Sequence, residues 1–121
     1  MSKTLNKLIQ LEKEASLYGF NWPNQHAIIK QAIDECMEIE QAINSNESES
    51  RIQEEIGDLI HASISLCIFS GFDVEKTLVK LVNKFEHRMS AIKSIAKKMV
   101  LIPCKVNQQS LCLSYGMRQR N

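Results

Sequence analysis

The chain has 121 residues, 44% hydrophobic and 24% charged, with a net charge of +1 from 15 basic and 14 acidic side chains. That is one domain's worth of an ordinary globular protein, able to bury a core without disulfide or metal staples. The near-zero balance gives no general pull toward nucleic acid polymers, and no stretch approaches the roughly 20 apolar residues of a membrane span.

Helical spacing dominates the chain. Leu5, Leu8, Ile9, Leu11 and Ala15 recur three or four apart and predict a first helix over about 3–17. YGFNWPNQ then breaks the pattern with Gly19 and Pro23, and Asn24 stands ready to cap a second helix over about 25–44. That helix gathers Ile28, Ile29, Ala32, Ile33, Cys36, Ile39 and Ile43 on one side. NSNESES is a polar loop, and Ser50 with Gln53 reads as a capping box opening a third helix. It carries Ile52, Ile56, Leu59, Ile60, Ser63, Ile64 and Cys67, and Gly71 suits its left-handed C-terminal position. Asp73 caps a fourth helix with Val74, Leu78, Leu81, Val82, Phe85, Met89 and Ile92. No run alternates with period two before residue 98, so the class is all-α, a four-helix bundle-like unit.

The opening MSKTLNKLIQ lacks the apolar core and cleavage site of a secretory signal, so a cytoplasmic location is expected. Cys36, Cys67, Cys104 and Cys112 form no CxxC pair and have no metal-ligand spacing. Cys36 and Cys67 fall on apolar faces and read as reduced, small core hydrophobes.

The acids are unevenly placed: most lie between Asp34 and Glu55, and none follows Glu86. ECMEIEQAI (35–43) contains Glu35 and Glu38, and EEIGDLIHA (54–62) contains Glu55 and Asp58. Residues three apart on a helix project close enough to meet one ion. Both pairs are expected at the edge of an apolar stripe, so antiparallel packing of helices two and three would bring four carboxylates together. Four such groups repel unless a cation neutralises them, and hard oxygen ligands suit magnesium, with manganese as the alternative. The competing expectation is a solvated acidic rim, since Glu is common on helix surfaces. Glu54 is the nearest spare carboxylate, but a helix turns it well away from Glu55. His61 lies one turn beyond Asp58 and reads as a hydrogen-bonded histidine at the core edge, while His26 and His87 read as surface.

ECMEIEQAI…EEIGDLI resembles the ExxE…ExxD signature of the MazG-like all-α nucleoside triphosphate pyrophosphohydrolases. NWPNQHAIIKQAIDE is similar to the family's Trp-containing entry to its second helix, and SGFDVEKTLVKLVNKFEHR to its fourth-helix pattern ending in KFxxR; together these cover roughly residues 18–90. The resemblance implies that Glu35, Glu38, Glu55 and Asp58 hold Mg²⁺ and form the catalytic group. It implies hydrolysis of a nucleoside triphosphate, with a lean to deoxynucleotides, to the monophosphate and pyrophosphate, as house-cleaning of the nucleotide pool. Lys84 and Arg88 would contact phosphates, Trp22 would stack on the base or close the core, and Asn83 would read a base edge. Family members are dimers or tetramers, and the broad apolar faces here agree.

The domain is expected to span 1–98. The tail from 99 to 121 departs from the family, which normally ends in a loop resembling G-L-x-S-L-x-G-x-S and a helix resembling F-M-L-x-L-W-x-x-A-K. Met99 and Val100 must be encoded ATG-GTN, and a frame starting on the last base of the Met codon begins with Gly. With permitted synonymous codons it continues G-L-D-S-L-Q-G-K-S-T-I-F-M-L-K-L-W-D-E-A-K-K. A lost base near the Lys97 and Lys98 codons accounts for the tail as written. Two other readings compete. One keeps the bundle as a catalytically weakened nucleotide-binding or interaction module. The other is a ferritin-like di-iron protein, which needs repeated Glu-x-x-His pairs that this sequence lacks.

Overall fold

A computed structural model of the chain describes residues 1–99, and the expectations for the tail fall outside them. Among the described residues there are four helices and no strand: α1 (Lys3–Leu17), α2 (Gln25–Asn44), α3 (Glu49–Phe69) and α4 (Val74–Lys98). The bounds of α1 and α2 match the spacing of their apolar residues. Short polar side chains fix where each helix begins by accepting a hydrogen bond from an otherwise orphaned backbone N–H. Ser2 accepts from Leu5, and Asn24 from Ala27. Asp73 Oδ2 accepts from the Lys76 N–H at 2.9 Å.

The start of α3 differs from the sequence expectation. Ser48, in an extended conformation, is the N-cap and accepts from the Arg51 N–H at 3.2 Å, so Ser50 already lies inside the helix. Ser-Glu-Ser offers two hydroxyls two residues apart, and Ser48 is the one that puts Glu49 in the first turn, where a negative charge favours the helix dipole. Gly19 and Gly71 follow α1 and α3 at φ +88° and +84°, the left-handed conformation that glycine adopts without a Cβ penalty.

Packing divides the chain between Thr77 and Leu78. In the first unit α2 and α3 make the principal helix pair. The pair is antiparallel: Gln25 Nε2, at the start of α2, donates to Ser70 Oγ, just past the end of α3, at 2.8 Å. Residues buried on α2 are Ile28, Glu35 and Ala42, two turns apart in succession, and those on α3 are Glu55, Ala62 and Ser65. The alanines let the helices approach closely, and full burial of Ile28 stabilises the pair by about 2 kcal/mol. Helix α1 packs on α3.

Carboxylates thus occupy the middle of the packed stripes, where the sequence reading places them at the edge. Glu38 and Asp58, one turn further along, are the members that lie at the edge and are exposed. The apolar residues at the other edge, Ile29, Ile33 and Met37 on α2 and Ile56 and Ile60 on α3, are also exposed. Because α2 and α3 run antiparallel, equal turns from the buried stripe on each helix arrive on the same side of the pair. Glu38 and Asp58 therefore share one side, and the isoleucines the other. Cys36 is exposed on the isoleucine side and Cys67 half-buried, so Cys36 is not the core thiol expected from its apolar neighbours.

The second unit contributes α4 from Leu78 onward to the described residues. Leu78, Leu81, Val82 and Phe85 line one face of it and are exposed. No single helix among the described residues is long and apolar enough to cross a membrane.

Candidate metal centre

The site is built by two carboxylates that the fold takes out of water. Glu35 retains 7% of its accessible surface and Glu55 only 3%. Each is held by a residue one turn earlier on its own helix. Gln31 Nε2 donates to Glu35 Oε1 at 2.6 Å, and Arg51 Nη2 donates to Glu55 Oε1 at 2.5 Å. In each case the other oxygen, Oε2, is buried with no hydrogen-bond partner in the chain. A buried carboxylate oxygen left unpaired costs free energy that natural proteins seldom tolerate without a compensating ion. Ligand atoms of Glu35, Glu55 and Asp58 lie within 4.8 Å of one another. Two buried carboxylates, each with an oxygen the chain leaves unpartnered, and a third carboxylate within that distance fit a hard divalent cation with oxygen ligands.

Glu38 stands beside this group. The neighbouring Glu35 charge, and then Glu55, hold its carboxyl above the ordinary carboxylate value. Carboxylates this close disfavour one another's ionised form. Arg51 answers part of the charge: Glu55 foremost, with Glu54 and Glu47, holds its guanidinium above the usual arginine value. Arg51 was missed by the sequence reading, although its position four residues before Glu55 carried the signal. Glu54, the spare carboxylate that the helix turns away from Glu55, pairs with Arg51 at 3.4 Å.

A cavity of about 300 Å³ opens on this side, lined by Trp22, Gln31, Glu35, Asp58, His61 and Ser65. Trp22 is half-buried at its wall. His61 is a hydrogen-bonded edge histidine, as its sequence position suggests: its Nε2 lies 2.7 Å from Glu12 Oε2 on α1. Glu12 was not singled out from the sequence, since nothing local marks a carboxylate that meets its partner 49 residues away. Lys84, Arg88 and Asn83 lie in the second unit, exposed on α4, with Lys84 and Arg88 one turn apart.

Residues 24–99 match the family model described as the MazG nucleotide pyrophosphohydrolase domain. The chain belongs to the MazG family. Its matched segment contains all four carboxylates and Lys84, Arg88 and Asn83, but begins after Trp22. Among curated proteins, the chain is 27% identical over 93 residues to the Thermotoga maritima nucleoside triphosphate pyrophosphohydrolase/pyrophosphatase MazG, covering 77% of this chain and 35% of that protein. It is 26% identical over 87 residues to the Escherichia coli K12 nucleoside triphosphate pyrophosphohydrolase, covering 71% of this chain and 33% of that protein. This MazG chain thus spans about a third of the length of the curated relatives it matches. No solved structure matches it.

Proposed function

We propose that this MazG chain hydrolyses (deoxy)nucleoside triphosphates to the nucleoside monophosphate and pyrophosphate, with Mg²⁺ and Mn²⁺ as the alternative, removing unwanted nucleotides from the cytoplasmic pool. The observation that carries the reading is the cluster of Glu35, Glu55 and Asp58 inside the family-matched segment, whose ligand atoms lie within 4.8 Å of one another, with Glu35 and Glu55 each burying an oxygen that has no partner in the chain. Glu35, Glu38, Glu55 and Asp58 would hold the ion. When bound, magnesium supplies neutralisation of the triphosphate charge and acidification of water. Gln31 and Arg51 each hold one oxygen of a buried carboxylate and leave the other free for the ion. In the hydrolysis, water adds to the α-phosphorus, the bond to the bridging oxygen breaks, pyrophosphate leaves, and a proton is released. Lys84 and Arg88 would take the phosphates, Arg88 through its forked donors. Trp22 would take the base face and Asn83 a base edge.

The catalytic domain of this reading spans 1–98, with 99–121 as the altered tail. A dimer or tetramer is part of the same reading. Ile33, Met37 and Ile60 are each more than half exposed on the side of the α2–α3 pair away from the acids. A second copy of the chain would remove that apolar area from water.

The test is product analysis on a panel of ribo- and deoxynucleoside triphosphates with Mg²⁺, run beside Glu38→Gln. Monophosphate and pyrophosphate from the parent, and none from the variant, are expected. Nucleoside diphosphate and inorganic phosphate, or no product across the panel, would contradict the reading.

A further inference from the structure

Helix α1 lies outside the matched segment, yet it sends one side chain toward the acidic site. Glu12 is a charged residue with only 16% of its side chain exposed, and it meets His61 at 2.7 Å. Burial pushes its carboxyl up, but hydrogen bonding from Ser65, His61 and Trp22, together with the His61 charge, outweighs burial and leaves the group below its ordinary value. Glu12 therefore gathers three side chains from two other segments: it meets His61 directly and borders one cavity with Trp22 and Ser65. Trp22 comes from the loop before α2, and His61 and Ser65 from successive turns of α3. The same α3 face presents Asp58 one turn earlier.

Trp22 and His61 line the cavity of about 300 Å³ together with Glu35 and Asp58. Beyond the indole lies a second cavity of about 240 Å³, bordered by Glu12, Ser16, Phe20, Asn21 and Phe69. Trp22 and Ser65 belong to both walls, so the indole is a partition between two spaces. An indole in that position has room to swing unless its N–H is held. With Nε2 engaged by Glu12, the His61 ring is fixed in orientation, and Nδ1 is the atom left to meet a ligand.

We propose that Glu12 is a positioning residue for nucleotide binding: it locks the Trp22 indole and the His61 imidazole in the cavity wall they share with Glu35 and Asp58, preorganising a seat for the nucleoside. The proposal rests on the nucleotide reading above. Its energetic logic is that groups fixed before binding lose no freedom on binding. The ligand class is a nucleotide whose phosphates meet the acidic end and whose sugar and base meet His61 Nδ1 and the indole face. Glu12 touches neither, so its removal weakens binding without altering the reacting groups.

Trp22 is the single tryptophan in the chain, so its emission reports on this wall alone. Parent, Glu12→Gln and Glu12→Asp are titrated with the α,β-methylene analogues of the common deoxynucleoside triphosphates in Mg²⁺, following Trp22 emission. KM and kcat for the parent triphosphates are measured alongside. The analogue is expected to quench the parent. Glu12→Gln is expected to need about tenfold more analogue, the loss of one charge-assisted hydrogen bond. KM should rise in parallel and kcat stay within about twofold, while Glu12→Asp, which keeps the charge, falls between. If Glu12→Gln fails to fold by circular dichroism, Glu12→Asp carries the test with a smaller shift in the same direction. Parent-like analogue affinity and KM in a folded variant, or a fall in kcat with KM unmoved, would overturn the proposal. A parent that hydrolyses nucleotides with Trp22 emission unmoved by the analogue would overturn it while leaving the hydrolase reading intact. A parent that hydrolyses nothing, yet binds the analogue with Glu12-dependent affinity, would support it and remove the hydrolase reading.

Discussion

The two sides of the α2–α3 pair are built from the same two helices and teach different lessons. On one side stand Glu38 and Asp58, with Glu35 and Glu55 drawn into the packed stripe beside them; on the other stand Ile29, Ile33, Met37, Ile56 and Ile60. Both sides are unsatisfied, but in different terms. The acid side is only partly answered: Arg51 pairs with Glu55, but two buried oxygens have no donor in the chain. The apolar side lacks cover, because large aliphatic side chains face water. Coulombic and hydrogen-bond deficits are local and specific, so they define a site. A hydrophobic deficit is proportional to area and non-directional, so it defines a face.

The largest expected effect breaks the acid side alone. Glu55→Gln should remove a cation ligand and lower kcat by about three orders of magnitude, the rate equivalent of losing several kcal/mol of charge stabilisation. It should leave sedimentation unchanged. The reciprocal variant, Ile33→Glu, should shift self-association toward the monomer by about a hundredfold, measured by sedimentation equilibrium, because a charge cannot be buried unpaired at an apolar contact. Cation affinity per protomer should survive it. A loss of cation binding in Ile33→Glu would show that the two sides are coupled.

Much of this contrast was legible in the sequence. Asn24, Asp73 and Gly71 marked helix ends by local chemistry, and the i, i+3 carboxylate pairs were visible as spacing. Burial was not legible: a Glu at the centre of a stripe breaks the apolar periodicity, so Glu35 and Glu55 were expected at its rim. Their supporting residues split the same way. Arg51 sits one turn from Glu55 on the same helix, within reach of a spacing rule, whereas Glu12 reaches His61 only after α1 packs on α3. The choice of Ser48 over Ser50 as cap was a tie between neighbouring hydroxyls that helix packing resolves.

Two smaller effects sharpen the comparison. Glu38→Gln should raise the melting temperature of the metal-free chain slightly, since it removes the repulsion from Glu35 and Glu55 that holds the Glu38 carboxyl high. The same variant should lose the parent's stabilisation by Mg²⁺, which grows with the ratio of ion concentration to Kd. The smallest effect is on pH dependence. The folded pKa of Glu12 lies below its ordinary value, so its stabilisation is fully present above the unfolded-state pKa and is lost as pH falls through the folded value. Chemical denaturation of parent and Glu12→Gln across the acid range should show the gap between them narrowing as pH falls.

The most direct measurement of the central claim is cation binding itself, by titration calorimetry with Mg²⁺ and by the paramagnetic signal of Mn²⁺, on the parent and on Glu55→Gln. Saturable binding to the parent, with the Mn²⁺ signal quenched on the protein and both responses lost in the variant, is the expected result. A parent that binds neither ion, or a variant that binds as the parent does, would contradict the claim that the orphaned oxygens of Glu35 and Glu55 form a cation site.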